Sequence, residues 1–203
     1  MKVLIAGATG LVGGELLRLL IEDQAVEEIH MLSRRPIEEA SSKIKIHLAE
    51  LGDHWLDSLQ GMRFDAVYCC LGTTMKIAGS QEAFRAVDQK AVIQLARFAK
   101  ESGSGFFGMV SSVGADSRSR SFYLRVKGET EDAVRALSLP RLAILNPSVL
   151  LGERNAFRLA DAIGGRAMKV LNPLLVGSLR KYRGVEAREV ARELWSCSQN
   201  EKK

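Results

Sequence analysis

Cysteine is scarce in this chain: there are three among 203 residues, Cys69, Cys70 and Cys197. An odd count in which two thiols are adjacent offers no ordinary unstrained framework of bridges, which excludes a disulfide-scaffold protein. Proline is nearly as scarce, at four residues, and aromatic side chains make up only 6%. With 46% hydrophobic and 26% charged residues beside so little proline, collagen-like and disordered chains are excluded too. Long apolar runs are missing. No stretch approaches the roughly 20 residues that span a bilayer. The N-terminus also lacks the apolar h-region and cleavage site of a secretory signal. Together these absences lead to the expectation of a soluble cytoplasmic protein without a membrane span. There is no acidic excess either: Lys+Arg 29 against Asp+Glu 24 leaves +5. A net positive charge points to an anionic ligand, and nucleic acid, a membrane surface or a phosphorylated cofactor all fit it.

What is present is a regular alternation. Apolar runs of strand length lie at 2–7, 28–32, 43–48, 65–71, 105–111 and 141–146. Helical patterns at 11–22, 80–101 and 122–137 separate most of them, with a shorter helical turn at 53–60. Continuously apolar strands joined by helices predict an α/β protein with a parallel sheet covered on both faces. Right-handed crossovers make that sheet doubly wound. The length fits one domain over 1–203. After Pro147 the pattern loosens, so 148–203 is expected to form a small lobe at the carboxyl edge of the sheet, ending in a helix near 185–198.

The first strand runs straight into Gly7-Ala8-Thr9-Gly10-Leu11-Val12-Gly13. Glycines between a strand and a helix serve three ends: a tight turn at Gly7, backbone approach to a diphosphate at Gly10, and close helix–strand packing at Gly13. The helix N-terminus adds unpaired N–H groups and a partial positive charge. Thr9, Leu11 and Val12 complete this candidate dinucleotide-binding turn. At the end of the second strand, NAD-binding proteins often place a carboxylate on the adenosine ribose. This chain instead has Ser33-Arg34-Arg35, and two guanidiniums with a hydroxyl suit a 2′-phosphate. NADP is therefore expected, with NAD as the alternative.

Further motifs follow in order: Cys69-Cys70-Leu71-Gly72-Thr73-Thr74, Ser111-Ser112-Val113-Gly114-Ala115-Asp116, Tyr123-Leu124-Arg125-Val126-Lys127-Gly128-Glu129, and Asn146-Pro147-Ser148-Val149. With the Gly-x-x-Gly-x-x-Gly spacing, they make the chain resemble the extended and atypical short-chain dehydrogenases/reductases. The resemblance is strongest to the Tat-interacting-protein oxidoreductases and their bacterial relatives, and it covers roughly residues 1–152. It implies a Rossmann fold and NAD(P)-dependent hydride transfer to or from a carbonyl or alcohol. Tyr123 would exchange a proton with the substrate oxygen, and Lys127 would hold the nicotinamide ribose. Ser112 would polarise the substrate, with Ser111 as the alternative serine. Leu71, Gly72 and Thr73 would pass the diphosphate and ribose, and Pro147 and Val149 the nicotinamide ring. Two departures stand out: Asp88 falls where many relatives carry Asn, and the Asp that often contacts adenine is not at its usual place after the third strand.

The residues argue for the same chemistry. Tyr123 and Lys127 are four apart and share one helix face. A nearby ammonium favours a phenolate, which brings a tyrosine toward acid–base work. Other constellations fail. His30, His47 and His54 lack metal-ligand spacing, so no metal is expected. Cys70 as the thiol nucleophile of a semialdehyde dehydrogenase has no partner base in view and sits in an apolar strand. The basic residues between Arg154 and Arg183 lack the interleaved aromatics of a nucleic-acid surface. A substrate-turning oxidoreductase and a cofactor-sensing regulator remain as alternatives. Helices 80–101 and 122–137 are candidates to pair two copies in a homodimer.

Overall fold

The computed structural model describes residues 1–37, 41–151 and 184–199. Six strands form one sheet: β1 (Lys2–Ala6), β2 (Glu28–Ser33), β3 (Ile44–Leu48), β4 (Ala66–Cys69), β5 (Phe106–Val110) and β6 (Leu142–Leu145). Every pairing is parallel and the order is β3-β2-β1-β4-β5-β6. This is the doubly wound sheet that the alternation predicts. The order reverses between β1 and β4, the switch point where such sheets open a crevice at their carboxyl ends.

Two layers cover the sheet. On one face lie α1 (Leu11–Glu22) and the last helix, α6 (Ala187–Gln199). The stripe Ala187, Val190, Ala191 and Leu194 recurs at helical spacing and is buried with Val12, Leu16 and Leu20 of α1. The terminal helix thus packs on the face of the sheet and not at its carboxyl edge. The Tyr68 hydroxyl donates to Ser198 Oγ (2.6 Å), and Arg141 donates to the carbonyls of Cys197 and Ser198 (2.9 Å each). Of the lobe expected over 148–203, residues 152–183 and 200–203 lie outside the described residues. Within the described part, β7 (Leu150–Leu151) pairs in parallel with β8 (Val185–Glu186).

The opposite face carries α3 (Gln81–Arg85), α4 (Val92–Glu101) and α5 (Phe122–Ala136). A short helix, α2 (Met75–Ala78), precedes them, capped by the Thr74 hydroxyl. The single helix expected over 80–101 is interrupted by a wide π-helical turn, Ala86–Ala91. Such turns insert a residue into an α-helix and often sit at functional sites. Here the turn carries Asp88, 1% exposed, into the protein.

Candidate functional site

Gly7 carries φ +84°, in the left-handed region, and a Cβ there would stand 2.4 Å from the Cys70 carbonyl oxygen. Gly13 is required for a different reason, since its Cβ would lie 2.1 Å from the Gly7 carbonyl. Gly7 thus lets the turn after β1 pack on the end of β4, and Gly13 lets α1 pack on that turn. Gly10 stands at the N-cap without a side-chain cap, and no acidic residue occupies the first turn of α1. The first N–H groups of α1 are thus left to an anion.

A cleft of about 740 Å³ opens over this turn. Gly7, Thr9, Gly10, Leu11 and Val12 form its floor, with Leu71, Gly72 and Thr73 beside them. Ser33 and Arg34 line one end, together with Leu32, Ala49, Leu51 and Trp55. Tyr123, Lys127, Ser111, Ser112, Pro147 and Val149 line the other. Two sequence candidates stand off the wall. Gly13 packs behind it, and Arg35 is exposed beyond Ser33, whose hydroxyl donates to the Arg35 carbonyl (2.7 Å). Trp55 was not singled out because it belongs to no motif; it lies in the helical turn expected at 53–60, just before the 3-10 turn Asp57–Leu59. It is 4% exposed, it packs in the apolar cluster with Leu59 and Phe64, and its indole N–H donates to Gln94 (3.0 Å).

At the other end, α5 presents Tyr123, Lys127 and Glu131 four residues apart on one face. Tyr123 is the most open of the three, and its ring meets Phe84 edge-on at 5.8 Å. Lys127 is buried, with its Nζ 2.7 Å from Asp88 Oδ1. Burial alone would lower the Lys127 pKa, but the Asp88 carboxylate and then the Tyr123 oxygen outweigh it, and the group ends above the ordinary lysine value. Glu131 accepts from Asn146 Nδ2 (2.6 Å), which also donates to the Ser112 carbonyl (3.2 Å). The Val113 N–H donates to the Pro147 carbonyl (2.9 Å). Through these contacts α5, the end of β5 and the loop after β6 hold one another.

The two serines differ. Ser112 Oγ makes a long contact to its neighbour's carbonyl (3.4 Å), whereas Ser111 Oγ is buried without a hydrogen-bond partner among the described residues. A lone buried hydroxyl on a cleft wall is a costly feature unless a ligand completes it. With the glycine floor, it is the structural sign that the cleft fits a bound cofactor and substrate. Other sequence candidates have settled partners. His30 Nδ1 and His47 Nε2 hydrogen-bond at 2.8 Å, and His30 also meets Glu28. Burial pushes the Cys69 thiol up to about 12 and raises Cys70 as well, which removes the thiolate that a nucleophile needs.

Comparison with known proteins identifies the family and the fold. Residues 2–104 match the family described as "Semialdehyde dehydrogenase, NAD binding domain". The chain is 39% identical over 157 residues to "Protein FMP52, mitochondrial" of Meyerozyma guilliermondii, covering 77% of this chain and 68% of that protein. It is 35% identical over 162 residues to "Protein HTATIP2" of Rattus norvegicus, covering 77% and 66%. The chain belongs to the atypical short-chain dehydrogenase/reductase family of FMP52 and HTATIP2. Its fold is shared with the Bordetella bronchiseptica enzyme WbmH, solved with NAD+, at a TM-score of 0.73 and 14% identity over 98% of this chain and 72% of that one. The Helicobacter pylori ADP-L-glycero-D-manno-heptose-6-epimerase gives 0.74, at 14% identity over 99% and 74%. The family is of the NAD-binding Rossmann type, with a nicotinamide cofactor. The cytoplasmic expectation does not stand, because the fungal relatives are named mitochondrial proteins. The lack of a secretory h-region bears only on the secretory route, and that is why it misled. Among the described residues no helix is long and apolar enough to cross a membrane.

Proposed function

We propose that this member of the family is an NADP-dependent oxidoreductase acting on a small carbonyl or alcohol, with residues 1–203 as one domain. The observation that carries this reading is the meeting of Tyr123, buried Lys127 and the unpartnered Ser111 hydroxyl on the wall of the cleft that the glycine turn floors. When bound, the nicotinamide supplies or takes the hydride. Tyr123 holds the proton exchanged with the substrate oxygen, and Lys127 orients the ribose and keeps a positive charge beside the phenol. Ser112 is the serine assigned by resemblance. The free hydroxyl of Ser111 supports the alternative, since a donor already committed inside the protein cannot also polarise a carbonyl. Gly7, Thr9, Gly10, Leu11 and Val12 bind the diphosphate, with Leu71, Gly72 and Thr73 alongside, and Pro147 and Val149 flank the nicotinamide.

Arg34 and Arg35 favour the 2′-phosphate. Arg34 lines the cleft and both side chains are exposed, free to close on an anion. NADPH is expected to bind about ten to a hundred times more tightly than NADH, the worth of one or two charge-assisted contacts. Arg34→Glu should erase most of that preference in a fluorescence titration. Equal affinities in the unaltered protein would remove the argument for NADP.

A second reading is a cofactor sensor with little turnover. The observation favouring it is that the Lys127 ammonium is already engaged by Asp88. NADPH oxidation against a panel of aldehydes and ketones separates the two. Turnover supports the oxidoreductase, and tight NADPH binding with every substrate inert supports the sensor.

A further inference from the structure

Five large apolar side chains stay open to solvent among the described residues: Leu48, Met75, Ile77, Tyr123 and Val149. Three of them, Ile77, Tyr123 and Val149, line one and the same cleft. Exposed apolar groups gathered in a concave site mark a place for an apolar ligand group, whereas scattered ones need no explanation. Ala83 and Val87 extend this wall. Their neighbours fix the end of the cleft at which they stand. Phe84 meets the Tyr123 ring at 5.8 Å, and the Asp88 carboxylate lies 2.7 Å from Lys127 Nζ. Helix α2, which carries Ile77, packs on α3 beside them.

Charge is distributed the opposite way. Arg34 stands at the far end, near Ser33. The other two charged side chains that line the cleft among the described residues, Asp88 and Lys127, pair with each other. Around Tyr123 the described residues therefore offer no uncommitted cation to a carboxylate or phosphate. What they do offer is the Ser111 hydroxyl, 7% exposed and without a hydrogen-bond partner. A buried donor beside aliphatic side chains is the complement of a molecule with one carbonyl oxygen and an apolar body.

We propose that the substrate is an uncharged carbonyl compound whose apolar body lies along Ile77, Ala83, Val87 and Val149, with Ile77 setting the length that is accepted. This names the substrate class of the oxidoreductase reading and rests on that reading. Reduction adds a hydride to the carbonyl carbon and a proton to its oxygen, giving the alcohol and NADP+. Ile77 is 50% exposed on a four-residue helix with no buried member, so changing it alters the ligand surface and not the core.

Straight-chain aldehydes from butanal to octanal, with NADPH saturating, test the proposal. Each added methylene should raise kcat/KM about threefold, the worth of one partly covered CH₂ group. The ω-carboxy aldehyde of equal length should react about tenfold more slowly, since its charge finds no partner on the wall. In Ile77→Ala, octanal should lose about tenfold while butanal is little changed. In Ile77→Lys, octanal should lose and its ω-carboxy counterpart gain. A flat series, a preference of the unaltered protein for the carboxylated aldehydes, or an equal loss on short and long chains in Ile77→Ala would each overturn the proposal. Butanamide to octanamide carry the same carbonyl and body, are not reduced, and report binding alone by calorimetry with NADP+ present. Where every aldehyde is inert, the amides decide. Affinity that grows with chain length and shrinks in Ile77→Lys then ends the oxidoreductase reading and leaves the apolar site standing. Amides that fail to bind, or bind no better as they lengthen, overturn the apolar site.

Discussion

Tyr123→Phe is expected to cut NADPH-dependent carbonyl reduction by a factor of about 10² to 10⁴, the usual worth of a positioned general acid. NADPH binding should survive almost unchanged. The substitution removes one oxygen and keeps the ring, whose edge-on contact with Phe84 is apolar. Tyr123 is also 36% exposed, so folding places little demand on its hydroxyl. Cofactor titration and steady-state rates on the same preparation check both halves of the expectation. The loss should fall on kcat and on kcat/KM alike, since the hydroxyl acts as charge develops on the substrate oxygen and not when the substrate docks. Full activity in the variant would move the proton donor elsewhere and end the assignment of Tyr123.

The second large effect is structural. Gly13→Ala adds one methyl group where the nearest atoms are all backbone: the Gly7 carbonyl at 2.1 Å, its carbon at 2.8 Å and the Ala8 Cα at 3.0 Å. None of these can retreat. The Gly7 carbonyl accepts the Gly10 N–H (3.0 Å), and Gly7 itself is pressed against Cys70. Helix α1 must therefore lift from the sheet, at a cost of about 2–3 kcal/mol. For a domain of this size that is a fall in Tm of about 5–10 °C. The cofactor-induced rise in Tm should vanish too, because the lifted helix no longer aims its N–H groups at the diphosphate. Gly14→Ala is the matched control. Its Cβ would meet only the Ala8 carbonyl at 3.5 Å, and alanine in a helix interior stabilises by up to about 1 kcal/mol. Equal melting of the two variants would refute the packing argument.

Much of this architecture was legible in the sequence. The run Lys2–Ala6 became β1, and the helix expected at 11–22 became α1 over Leu11–Glu22. Both have a strong local cause: an apolar strand buried on two faces and a glycine turn that leaves one way to continue. The members of the candidate site were legible as well, with Tyr123, Lys127 and the Ser111–Ser112 pair facing one cleft. Two things were hidden. The pattern over 80–101 reads as one amphipathic helix, since a single inserted residue barely disturbs its period, and the π-helical turn at Ala86–Ala91 leaves no mark in composition. Trp55 was equally silent, because the helical turn that carries it is local but its place on the cleft wall depends on how that turn packs on the sheet.

The sequence by itself determined the elements, the parallel sheet and the glycine-floored cleft at its switch point, because each depends on short-range pattern and on steric limits that few residues meet. Tertiary structure decided three matters that involve partners distant in the chain. It set α6 on the face beside α1, through Leu194 and the Tyr68–Ser198 contact. It left the Ser111 hydroxyl, not that of Ser112, buried and unpartnered. It also brought the Asp88 carboxylate to Lys127, thirty-nine positions along the chain (127 − 88 = 39). A charge pair across such a separation has no local signature, since its energy arises only when folding removes both groups from water together.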